Sequence, residues 1–188
     1  MIVKAVSEGY SKIGIGSVVI FGVSLILLYS ASAIYHMVIA KDTVIAWLRR
    51  IDHSMIFVLI AGTYTPLCLI SLNNTLGWTI FGVISGLAIL GVVFKLTWFH
   101  SPRWLSTLIY ISMGWLVVFF IGDLAPIIGT GGMVYLILGG LAYTVGGIIY
   151  GFKPKFLQFK DWGFHEIFHV FILFGSLFHF ICVYWYVL

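Results

Sequence analysis

The sequence predicts an all-α fold, a polytopic transmembrane helix bundle with six spans in this chain, forming a single integral membrane domain over residues 1–188. Two observations predict it. The first is composition: 62% of the residues are hydrophobic, 9% are charged, and the mean hydropathy is +1.13. A water-soluble domain carries about 45–50% apolar and about 25% charged residues, and it needs that charge to cover its surface. The second is pattern: six stretches approach the roughly 20 apolar residues that a helix needs to cross a bilayer. They cover about residues 13–38, 53–72, 78–98, 104–121, 132–152 and 164–187. A water-soluble enzyme is excluded.

The first span, 13–38, could pass for a signal peptide. It runs too long for one and has no A-x-A-like cleavage site after its apolar stretch, so it is expected to be retained. The second, 53–72, contains Gly62-Thr63-Tyr64-Thr65-Pro66. Proline there predicts a kink, with threonine hydroxyls serving freed carbonyls. The third, 78–98, carries Gly82 and Gly86, and the fifth, 132–152, carries Gly147 and Gly151. Small residues at that spacing suit a close helix crossing. The fourth, 104–121, is set off by Asp123-Leu124-Ala125-Pro126, and the sixth, 164–187, opens with a histidine pair. No linker or low-complexity tract separates them.

The few charges have a direction. When the loops are assigned alternately to two faces, Lys41, Arg49, Arg50, Lys95, Arg103, Lys153, Lys155 and Lys160 fall on one face, and only Lys4 and Lys12 fall on the other. The positive-inside rule makes the richer face cytoplasmic. This puts the N-terminus outside without a signal peptide, and a missing preceding helix would remove the conflict. The net charge of +4 and pI near 9.1 do not point to nucleic acid, because the basic residues form no run and no aromatic RNA-binding motif accompanies them. Cys68 and Cys182 supply neither a disulfide framework nor a thiolate zinc cage.

Ionisable side chains inside a span are costly, so each is a candidate for function. His165 and His169, four apart at the start of the last span, share one helix face about 6 Å apart along the axis, a spacing at which two imidazoles can share a metal. His36 near the end of the first span and Asp52 near the start of the second are expected at the same cytoplasmic depth. Three imidazoles with an open fourth position form a catalytic zinc arrangement. Asp52 is then the candidate proton carrier, and Ser32, one turn before His36, can support the site from behind. The alternative is that these histidines only sit at the polar boundary, satisfied by water and headgroups.

His165-Glu166-Ile167-Phe168-His169 also fits the H-E-x-x-H pattern of metalloproteases. Its flanks are a membrane helix, which leaves Glu166 open as either a base or an interfacial carboxylate near Lys160. His179, about 15 Å beyond His169, is too deep for the same metal and is expected to hydrogen-bond a neighbouring helix, with a proton relay as the other reading. His53 and His100 are expected at the interface, and Thr63, Tyr64 and Thr65 suit either packing or a polar cavity.

Three motifs carry a family resemblance: Ser32-Ala33-Ile34-Tyr35-His36; Asp52 within Arg50-Ile51-Asp52-His53-Ser54 together with the stretch from Leu59 to Pro66; and Phe164-His165-Glu166-Ile167-Phe168-His169 with Gly175 and His179-Phe180. From about Phe21 to the C-terminus the chain resembles the haemolysin III group of the progestin and adipoQ receptor family, and more distantly the alkaline ceramidases. The resemblance implies a seven-helix fold with a cytoplasmic N-terminus, here lacking the first helix. It also implies an intramembrane zinc ion held by His36, His165 and His169, with Ser32 and Asp52 behind them. The expected function is zinc-dependent hydrolysis of a lipid amide or ester, linked to lipid homeostasis of the cell membrane, with membrane lipids as partners. The alternatives are a receptor or membrane-state sensor with structural zinc, and a pore-forming haemolysin. The pore is disfavoured because the spans lack charges to line it.

Overall fold

A computed structural model describes residues 1–98, 101–154, 157 and 163–188. His100, Lys155 and Lys160, all assigned above to the basic face or the interface, lie outside the described residues. Among the described residues the chain is helical and divides into two compact units, Met1–Ser101 and Pro102–Leu188.

The first unit begins with a short α1 (Ile2–Ser7), which hydropathy did not mark, and continues with α2 (Lys12–Met37), α3 (Asp42–Pro66) and α4 (Thr75–Thr97). Caps set two of the starts: the Ser11 hydroxyl accepts from the Gly14 N–H at 3.1 Å, and Asn74 Oδ1 accepts from the Gly77 N–H at 2.9 Å. α3 starts eleven residues before the apolar stretch that predicted it, because its first turns carry Asp42, Arg49 and Arg50 outside the apolar window. At Pro66 the helix does not stop. It widens into a π-helical stretch, Leu67–Leu72, and turns at Asn73 in the left-handed region (φ 40°). Thr63 and Thr65 donate to the Leu59 and Ala61 carbonyls at 2.8 Å, so their hydroxyls are satisfied within the helix instead of lining a cavity.

Packing in this unit relies on small residues. α2 lies against α3 and α3 against α4. A Cβ at Gly62 would collide with the Ser24 side chain of α2, and one at Gly91 would collide with the Phe57 ring of α3. Among the described residues nothing lies within 4 Å of a Cβ added at Gly82 or Gly86, so no close crossing is seen at this pair. Ser17 and Ser24 are 1% exposed while Ile26 and Leu90 are 66% and 65% exposed. This reverses the pattern of a water-soluble protein, and it suits an outer surface solvated by lipid.

The second unit contains α5 (Arg103–Gly114), a 3-10 stretch (Trp115–Phe120), α6 (Ile121–Phe152), α7 (Phe164–Cys182) and a terminal π-helical stretch (Val183–Val187). The run Arg103–Phe152 is helical throughout, and its direction breaks at Gly129 (φ 65°, ψ 178°), a conformation that glycine tolerates. The predicted stretches 104–121 and 132–152 flank that break. α6 packs on α5 and α7. Gly147 and Gly151 do support a close approach, to Thr107 of α5, with an added Cβ at 3.3 and 3.6 Å from its side chain. The Trp115 indole N–H donates to Thr144 Oγ1 at 2.9 Å. Among the described residues, five helical stretches are long and apolar enough to cross a membrane. The chain is a multi-pass membrane protein.

Candidate metal centre

The histidines and carboxylates flagged in the sequence fall on three helices. In the first unit, α2 places Ser32 and His36 one turn apart near its C-terminal end, and α3 brings up Asp52. Asp52 is 8% exposed. A carboxylate so far from water needs a donor, and the Ser32 hydroxyl hydrogen-bonds it while the His36 ring lies within its electrostatic reach. The i, i+4 spacing of Ser32 and His36 puts both side chains on one helix face, so a single strip of α2 serves the carboxylate. His36 is exposed, with the Tyr35 ring 4.6 Å away between centroids. His53, next to Asp52 in sequence, is partly buried.

In the second unit, α7 places His165 and His169 on successive turns. Their Nε2 atoms are 3.2 Å apart and the rings are nearly perpendicular, at 83°. At that separation either one N–H donates to the other ring's lone pair, or both lone pairs serve one cation. Aromatic rings wall the pair: Phe168 stacks near His165 and Tyr150 of α6 stands 6.2 Å from it, with the Arg103 guanidinium 5.6 Å over the Tyr150 ring. Sequence reasoning did not find Tyr150 or Arg103, because neither belongs to a local pattern around the histidines.

Glu166 points to a different task. Its Oε2 accepts from the Gly163 N–H at 2.8 Å at the start of α7, which makes it a helix cap. His179 is buried and joins its neighbour: its Nε2–H donates to the Leu136 carbonyl of α6 at 3.2 Å.

The His165 and His169 pair, both on α7, therefore offers two ring nitrogens to one cation. The donor chemistry fits zinc, which takes neutral imidazoles readily and, in catalytic sites, is held by about three protein ligands. Fold and side chains together define a multi-pass membrane protein with a candidate metal-binding histidine pair on α7 and, in its other unit, a buried carboxylate beside Ser32 and His36.

The family described as Haemolysin-III related matches residues 1–180. A Hemolysin-3 homolog of Bacillus subtilis (strain 168) is 41% identical over 186 residues, which is 99% of this chain and 84% of the relative. Hemolysin-3 of Bacillus cereus is 41% identical over 182 residues, 95% of this chain and 80% of the relative. The chain belongs to the haemolysin III family.

Proposed function

We propose that this protein is a zinc-dependent hydrolase of a lipid amide or ester, with its site near the cytoplasmic face of the cell membrane and a role in membrane lipid homeostasis. The observation that carries the proposal is the His165–His169 pair, its Nε2 atoms 3.2 Å apart, and it is supported in the other unit by a buried carboxylate within reach of His36. A carboxylate is not needed to hold zinc on three imidazoles, but it is needed to move a proton. When bound, zinc would supply Lewis-acid polarisation of the substrate carbonyl and a water of lowered pKa. His36, His165 and His169 would hold the ion as neutral rings. Asp52 would take the proton from the attacking water and return it to the departing amine or alkoxide. The Ser32 hydroxyl would keep the Asp52 carboxylate aimed during both transfers.

The decisive variant is Asp52→Asn in protein purified with its metal and reconstituted in lipid vesicles. Expected is unchanged zinc content with turnover of a labelled lipid amide or ester reduced about 10²–10⁴-fold, the usual contribution of a positioned acid–base group. Bound zinc with no turnover in either protein would overturn the hydrolase and leave the sensor with a structural metal.

The relatives' names, Hemolysin-3, carry a second reading, cell lysis, for which a pore is the route to test. The Ser17, Ser24, Thr63 and Thr65 hydroxyls hydrogen-bond to carbonyls of their own helices, a poor lining for a water-filled channel. Dye release from vesicles by the purified protein would favour it.

A further inference from the structure

The second unit holds another polar centre, farther along α7 than the histidine pair and independent of the metal reading. His179 is 9% exposed. Its Nε2 lies 3.2 Å from the Leu136 carbonyl. A carbonyl only accepts, so Nε2 carries the proton and Nδ1 keeps a lone pair. A Cβ at Gly139 of α6 would land on the Cδ2 and Nε2 atoms of this ring. That edge therefore faces Gly139, and the Nδ1 edge turns away from that residue. Nδ1 is buried, and among the described residues it has no hydrogen-bond partner.

The neighbours are polar. Ser176, one turn before His179 on the same face of α7, has its Oγ 2.7 Å from the Tyr143 hydroxyl. The Tyr143 ring meets the His179 ring edge-on, 5.3 Å between centroids. Gly175 makes the room: a Cβ there would sit 2.8 Å from Tyr143 ring carbons. Two hydroxyls and an imidazole ring thus lie side by side between α6 and α7 inside an apolar unit.

We propose that this centre binds a hydroxyl group, whose O–H donates to His179 Nδ1 beside the Tyr143 and Ser176 hydroxyls. A buried acceptor in a lipid-solvated helix cannot draw on bulk water, so its donor must be held within the fold. The same chemistry has two sources, a single internal water or the alcohol group of a lipid. A water is held where two to four polar groups converge, and the Tyr143 and Ser176 hydroxyls belong to the residues beside this ring.

The test is solid-state NMR on the full chain labelled with ¹⁵N-histidine, reconstituted first in phosphatidylcholine, which has no hydroxyl, and then with added diacylglycerol, which has one. The spectrum of His179→Phe assigns the signal by difference, and His179→Gln does so if the first variant does not fold. Expected is an Nδ1 resonance displaced from the position of a bare imidazole acceptor. Displacement in phosphatidylcholine, with magnetisation transfer from solvent that disappears in D₂O, identifies water. Displacement only with diacylglycerol identifies the lipid hydroxyl. A bare Nδ1 in both membranes, or a protonated one, overturns the proposal.

Discussion

His165 and His169 stand on successive turns of α7 with their Nε2 atoms 3.2 Å apart. A helix rises about 5.4 Å per turn, so the two rings must lean toward each other to reach this distance. Phe168 and Tyr150 flank the pair and limit the directions in which it can open.

Zinc retention tests the proposed ligand set. Purified protein should carry about one zinc per chain, and His165→Ala and His169→Ala should each weaken zinc by well over the 10–100-fold typical of losing a group that only supports a ligand. Ser32→Ala, which removes a hydrogen bond to Asp52 and touches no proposed ligand, should leave zinc binding near that of the wild type. Competition with a chelating dye measures all three, and equal zinc content in the wild type and both histidine variants refutes the site.

Glu166 should behave as a cap and not as a base. Glu166→Ala removes the acceptor for the Gly163 N–H and should cost about 0.5–2 kcal/mol, the range for lost helix caps, while leaving zinc content unchanged. Thermal unfolding in detergent beside metal analysis separates the roles. Unchanged stability with lost turnover would give the carboxylate to the chemistry instead.

Gly62 and Gly82 should respond in opposite senses to the same substitution. Gly62→Ala drives a methyl group into Ser24 and should destabilise by about 1–3 kcal/mol, the cost of overpacking. Gly82→Ala meets nothing within 4 Å and should gain up to about 1 kcal/mol from helix propensity. Unfolding titrations of the two variants provide the comparison, and equal effects would mean that Gly62 does not mark a close crossing.

Much of the fold was legible in the sequence because lipid imposes a simple demand, a long apolar helix with every backbone group paired internally. The stretch predicted at 13–38 became Lys12–Met37, and 78–98 became Thr75–Thr97. Where prediction and structure part, hydropathy was measuring something other than helicity. The polar first turns of α3 are helical outside the apolar window, and the residues around Asp123 and Pro126 continue a helix that bends only at Gly129. Sequence spacing could not tell Gly82 and Gly86 from Gly147 and Gly151, since a small residue matters only where another backbone comes close.

By itself the sequence determined the membrane class, the family resemblance and the short list of polar residues worth attention, because each ionisable group in an apolar span stands out against its surroundings. It also placed Ser32 with His36, and His165 with His169, since i, i+4 neighbours share a helix face whatever the tertiary fold. Only the tertiary structure decided what those groups touch. It gave Asp52 to the Ser32 hydroxyl, turned Glu166 into a cap, and set His179 against the Leu136 carbonyl. Those outcomes depend on which helix faces meet and how closely, and small residues such as Gly62 and Gly139 control that approach without leaving a distinctive pattern in the chain.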